Sequence, residues 1–122
     1  MDYHVLKEVP ANLDAMEFEA NVMNKRGLLK QIPPRYRSTY FNHTMGGGYT
    51  AGYYSYIWAE VLDADAFEAF KETGDIFNQD KAIKFRNNVL TPGAIDDAMD
   101  MYKNFRGKEP GTAPLLKNRG LM

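Results

Sequence analysis

Phe41-Asn42-His43-Thr44-Met45-Gly46-Gly47-Gly48-Tyr49-Thr50-Ala51-Gly52-Tyr53-Tyr54-Ser55-Tyr56-Ile57-Trp58 gathers a histidine, a triple glycine and four tyrosines into one stretch. Glycine allows φ > 0 and close backbone approach, so the run marks a turn, and helical periodicity begins after it. At about 100° per residue, Tyr49, Tyr53 and Tyr56, spaced i, i+4, i+7, fall within roughly 60° of one another on a helix. Tyr54, Ile57, Trp58, Val61 and Leu62 follow the i, i+3, i+4, i+7, i+8 pattern on a separate face, the expected core face. The expectation is one long helix from about Tyr49 to Lys71, with a weak point near Asp63 and Gly74 as its stop. Imidazole and phenol groups are donors suited to holding an oxyanion. A single tyrosine at helical spacing is usually packing. The functional reading therefore rests on the set: a phenol stripe distinct from the apolar stripe, preceded by Gly46, Gly47, Gly48 and His43.

Working outward, the remaining segments also read as helices joined by short turns. Asp2 to Lys7 resembles the tail of a helix ending before Pro10. Asp14 and Glu17 form a capping-box pattern for a helix to about Lys25, with Phe18 and Val22 at i, i+4 and Gly27 as the stop. Pro33-Pro34 forces an extended passage, and Arg35 to Met45 reads as irregular or extended. A helix from about Gln79 to Leu90 would place Ala82, Phe85, Arg86 and Val89 on one side, the Arg86 stem covering apolar surface. Pro92-Gly93 turns the chain. Ile95, Ala98, Met99, Tyr102 and Phe105 then recur at helical spacing, and a segment with Pro110-Gly111, Pro114 and Leu115-Leu116 closes the sequence. No strand alternation is evident, so the predicted class is all-α. The acids Asp63, Asp65, Glu68 and Glu72 read as decoration of an exposed helix side rather than as a metal cluster.

The 122 residues, 44% hydrophobic and 25% charged, suit one soluble unit with a single small core. Fifteen basic against sixteen acidic residues give a net charge of −1 and a pI of about 6.1, which argues against global attraction to nucleic acid or anionic membrane. With no cysteine there can be no disulfide or thiolate ligand, and an intracellular setting is expected. No apolar run approaches the roughly 20 residues that span a bilayer. The expected compartment is the cytoplasm, with the periplasm as the alternative.

Arg35-Tyr36-Arg37-Ser38 leading to Phe41-Asn42-His43, the Gly46-to-Trp58 core, Glu60 to Phe67, Phe105-Arg106-Gly107-Lys108-Glu109-Pro110 and the closing Leu115-to-Leu121 run together resemble the C-terminal part of the thimet oligopeptidase family of zinc metallopeptidases. Bacterial peptidyl-dipeptidases are the most similar branch, and the likeness, starting at Asp2-Tyr3-His4, covers essentially the whole chain. Members of that family are much longer and bind zinc through a His-Glu-x-x-His helix and a downstream glutamate. The only histidines here are His4 and His43, and no His-Glu pair occurs. The resemblance thus implies residues 1–122 as the C-terminal part of a larger, mostly helical peptidase catalytic domain, a fragment inactive alone. Zinc would belong to the full-length enzyme, bound by residues absent from this chain.

By position in the motif, Tyr56 is the expected oxyanion donor. His43 resembles the family histidine that hydrogen-bonds the substrate or its tetrahedral intermediate, and Tyr49 the tyrosine that moves over the cleft from the end of the glycine loop. Tyr53 is placed to help bind the carboxylate end of a short peptide, with Gly46, Gly47 and Gly48 forming the substrate-binding loop. Relatives often carry a serine after the glycine corresponding to Gly93. Ala94-Ile95 stands here instead, so loss of a helix cap is expected. His4 reads as structural. Arg35 and Arg37, next to Pro33-Pro34, read as solvated or paired with acids, the alternative being a substrate carboxylate or phosphate. Two functions compete with the peptidase reading: a helical interaction module descended from such a peptidase, and an anion site at the glycine loop. No Lys-Ser/Thr follows the glycines and no strand precedes them, which disfavours the anion site. Loss of covering surface also makes self-association of the isolated fragment an expectation.

Overall fold

The computed structural model describes residues 8–122; the helix tail expected over Asp2 to Lys7, and His4, lie outside them. Among the described residues there are six α-helices and no strand, and the chain divides into two units, one ending at Ser55 and the other beginning at Tyr56.

The first unit opens with α1, Ala15–Lys25. Asp14 caps it: its carboxylate accepts from the backbone N–H groups of Met16 and Glu17, two of the donors a helix start leaves unpaired. At the other end Gly27 takes φ +76°, and the N–H of Leu28 returns to the carbonyl of Met23, closing a Schellman turn. One buried charge ties α1 to the backbone at Arg37 and Ser38. Glu19 accepts from Nη1 of Arg37 at 2.8 Å, and its second oxygen takes the backbone N–H of Ser38 at 2.8 Å and its hydroxyl at 2.9 Å. Burial raises the pKa of this carboxylate, and the Arg37 and Ser38 hydrogen bonds more than reverse that, leaving it below the usual range. The segment expected to be irregular contains a 3-10 turn, Ser38–Tyr40, and a single helical turn, α2, Asn42–Met45.

The second unit is built from α3, Ser55–Lys71; α4, Gln79–Phe85, which passes into a π-helical turn at Arg86–Leu90; α5, Ala98–Arg106; and α6, Ala113–Asn118. Its core is Val61, Ala64, Ala69, Met101, Tyr102 and Phe105. The Phe105 ring is fully buried, its centroid 5.0 Å from Phe85 and 6.2 Å from Phe70.

Several expectations are corrected here. Helix α3 starts at Ser55 rather than Tyr49, and it runs through Asp63 without a break. Of the expected core face only Val61 is buried and Leu62 half-buried; Tyr54, Ile57 and Trp58 are exposed. The expected helix from Gln79 to Leu90 passes from α-helical to π-helical at Arg86, which is exposed while Ala82, Phe85 and Val89 are half-buried. Ile95 lies before α5 and is 82% exposed, and the cap thought lost after Gly93 is supplied by Asp97, whose carboxylate accepts from the N–H groups of Met99 and Asp100.

The largest correction concerns Asp65. Rather than decorating a solvated face, it is 2% exposed. Its Oδ2 accepts from the Tyr102 hydroxyl at 2.5 Å and from Nε of Arg106 at 3.0 Å. The other side of the Arg106 guanidinium forks onto Glu72 at 2.6 and 2.7 Å. Burial pushes Asp65 up, but hydrogen bonds from Tyr102 and Arg106 bring it below its ordinary value; burial and the adjacent carboxylate push the Tyr102 phenol well above its own.

Candidate functional site

Between α2 and α3 the chain makes a tight turn that favours glycine. The N–H groups of Gly46 and Gly47 both reach the carbonyl of Asn42, at 2.7 and 2.6 Å. A Cβ on Gly46 would sit 2.7 Å from Oδ1 of Asn42; on Gly47 it would meet the His43 Cα at 3.0 Å and the Asn42 and His43 carbonyl oxygens at 3.1 and 3.2 Å. Gly48 takes φ +82°, where a side chain is strained. The Tyr49 N–H then returns to the carbonyl of His43 at 3.3 Å, so the glycine loop folds Tyr49 back over the histidine.

Thr50 comes next at φ +47°, a left-handed conformation rare for a β-branched residue. It opens a 3-10 turn, Thr50–Tyr54. Tyr49 precedes this turn and Tyr53 lies within it, at three residues per turn instead of the expected 3.6.

A cluster forms instead. The His43 ring lies 5.8 Å from Tyr49 and 6.0 Å from Tyr53, and the two tyrosines are 6.1 Å apart with planes at 87°. Phe41 packs edge-on to Tyr53 at 4.7 Å and is stacked on Tyr36 at 5.1 Å, so a row of rings buttresses the histidine. His43 and Tyr49 remain exposed and Tyr53 is half-buried. The turn carrying them is pinned from below by buried Thr44, whose hydroxyl donates to the Phe41 carbonyl at 3.1 Å. Three of the four predicted polar side chains are thus brought together by the first unit. The fourth, Tyr56, stands in the first turn of α3 in the second unit and is 47% exposed. Arg37 is paired with Glu19, whereas the guanidinium of Arg35 lies over the Tyr36 ring, 5.3 Å from its centroid.

Sequence reasoning missed Glu19, Asp65 and Arg106. Glu19 comes directly after a core-facing phenylalanine on α1, but its partners lie 18 and 19 residues away, and nothing local announces them.

Among the described residues no group of three or more His, Cys, Asp or Glu side chains is placed to hold a metal ion, and the sequence contains no His-Glu pair. The described side chains do not fit a zinc site. No helix of the described residues is long and apolar enough to cross a membrane.

Residues 1–121 match the model of peptidase family M3. The chain belongs to that family. This M3 chain is 40% identical over 122 residues to dipeptidyl carboxypeptidase of Escherichia coli K12, an alignment covering 99% of the chain and 18% of the relative. It is 49% identical over 82 residues to oligopeptidase A of Haemophilus influenzae, covering 67% of the chain and 12% of the relative. A probable cytosolic oligopeptidase A of Arabidopsis thaliana is 38% identical, with 95% of the chain and 17% of the relative covered. The M3 chain therefore spans less than a fifth of the length of these relatives. The expected helical class and the family resemblance both hold.

Proposed function

We propose that this M3 chain is the substrate-binding and transition-state-stabilising portion of a zinc metallopeptidase that releases dipeptides from the C-terminus of short peptides. The observation that carries it is the cluster of His43, Tyr49 and Tyr53 on a tight glycine turn. An exposed imidazole beside two phenols offers several hydrogen-bond donors and acceptors to a peptide backbone. Likeness to a dipeptidyl carboxypeptidase supplies the substrate class.

In this reading His43 and Tyr49 hold the peptide around the scissile bond, and Tyr53 supports them from within. As negative charge builds on the scissile carbonyl oxygen, the Tyr56 hydroxyl donates a hydrogen bond to it. One such preorganised donor typically lowers the barrier by about 3–4 kcal/mol, or roughly 100- to 1000-fold in rate. Zinc is assigned to residues outside this chain, so the isolated chain is inactive.

The experiment is Tyr56→Phe in the full-length enzyme, assayed for dipeptide release. The expected result is a kcat lowered by roughly 100- to 1000-fold with KM and melting temperature little changed. Normal turnover would remove Tyr56 from the mechanism, and products of internal cleavage would overturn dipeptide release. Turnover by the isolated chain with added zinc would sink the division of labour.

A further inference from the structure

Helix α3 carries Tyr56 on one side and is held from the other. At about 100° per residue, Asp65 and Glu72 lie about 180° and about 160° around the helix from Tyr56. Glu72 follows the last residue of α3, but its N–H still reaches the Glu68 carbonyl at 2.9 Å, so the helical turn extends to it. One guanidinium takes both carboxylates. Nε of Arg106 donates to Asp65 at 3.0 Å, and Nη1 and Nη2 donate to Glu72 at 2.6 and 2.7 Å. One turn earlier on α5 the Tyr102 hydroxyl donates to Asp65 at 2.5 Å. Two turns of α3 are thus clamped to one turn of α5.

The other buried residues of α3 are Val61, Ala64 and Ala69. Their short side chains fill space without setting an angle, whereas hydrogen bonds weaken steeply when bent. A buried polar network with every member satisfied rigidifies its surroundings, and among the described residues no buried side-chain nitrogen or oxygen lacks a partner. The clamp therefore resists a roll of α3 about its axis. Side-chain tips stand about 6 Å from a helix axis, so a roll of about 10° carries one through about 1 Å. A displacement of that size can cost up to about 100-fold in rate.

We infer that Tyr102 and Arg106 are positioning residues: by holding Asp65 and Glu72 they set the roll of α3 and so aim the Tyr56 hydroxyl at the scissile carbonyl oxygen. This rests on the assignment of Tyr56 as the oxyanion donor and adds the residues that orient it.

The test is a double-mutant cycle on kcat in the full-length enzyme, at a temperature where each variant is folded by circular dichroism. Tyr102→Phe keeps the buried ring and removes the hydroxyl; Glu72→Gln changes only the exposed end of the clamp and guards against loss of folding. With Tyr56 present, Tyr102→Phe is expected to lower kcat about tenfold and Glu72→Gln about threefold, with KM little changed. In the Tyr56→Phe background each should lower kcat less than about twofold, because the donor they aim is gone. A clamp that only stabilises the fold gives a lower melting temperature with undiminished kcat, or equal losses in both backgrounds, and either result overturns the inference. Failure of the catalytic reading looks different: Tyr56→Phe alone then leaves kcat intact, and there is no donor to aim.

Discussion

At the scale of single residues, the site depends on atoms that are absent as much as on those present. Gly47 has little room for a Cβ, because the nearest atoms are the backbone of Asn42 and His43 rather than a flexible side-chain tip. Gly47→Ala therefore requires the backbone at Asn42 and His43, which carries the imidazole, to give by a few tenths of an ångström. Displacement of a positioning group by about 1 Å can cost up to 100-fold in rate, and this shift is smaller, so kcat/KM of the full-length enzyme is expected to fall by up to roughly 10-fold while helix content by circular dichroism is retained. Wild-type kinetics in that variant would show that the turn does not position the histidine. The histidine, the glycines and the tyrosines were all legible in the sequence, because each residue type announces its chemistry. The partner of Glu19 was not: an acid beside an apolar face looks the same whether it meets water or an arginine 18 residues on.

At the scale of elements, local rules located most helices and tertiary partners decided their faces. The Asp14 cap and the Gly27 stop were readable because both act within a few residues of themselves. The start of α3 was not, since a 3-10 turn and an α-helix share their aromatic spacing over five residues and diverge only in azimuth. Asp65 was misplaced for a similar reason. Its burial comes from Tyr102 and Arg106 on α5, some forty residues away. Asp65→Asn leaves a nearly buried guanidinium with one of its two carboxylates, and breaking such a pair typically costs about 3–5 kcal/mol. Unfolding in urea should show a free energy of unfolding lowered by an amount of that order, and a change under about 0.5 kcal/mol would mean that Arg106 is satisfied by Glu72 alone.

The same network sets a pH dependence whose sign is fixed. Asp65, Glu72 and Glu19 are all held below their ordinary values of 3.8, 4.5 and 4.5, so their contribution is fully present above about pH 5 and is lost as pH falls through that window and below. Tyr102 is raised above its ordinary 10.0, so its contribution is complete below that pH and declines above it. Melting temperature should be flat from about pH 6 to 9 and drop on both sides. The acid limb should shrink in Asp65→Asn; an unaltered limb would assign acid sensitivity to other carboxylates.

At the scale of the whole molecule, each unit has its own cohesion, and the apolar side chains left in solvent are unusually large. The spacing of Tyr54, Ile57 and Trp58 marks them as core residues, yet all three are exposed. Spacing identifies an apolar face without saying what covers it, and a chain spanning at most 18% of its relatives' length retains only part of their packing partners. Exposed clusters of this kind promote association. The isolated chain is therefore expected to self-associate, with a sedimentation coefficient that rises with concentration over the micromolar range. Because Trp58 is the sole tryptophan, its emission should move to shorter wavelength over the same range, reporting which face is being covered. Ile57→Glu places a charge on that face and should return the chain to a single slow species with Trp58 in water. Should the wild-type chain already sediment as one concentration-independent monomer, the exposed face would be tolerated by water as it stands, and packing partners would not be needed to explain its composition.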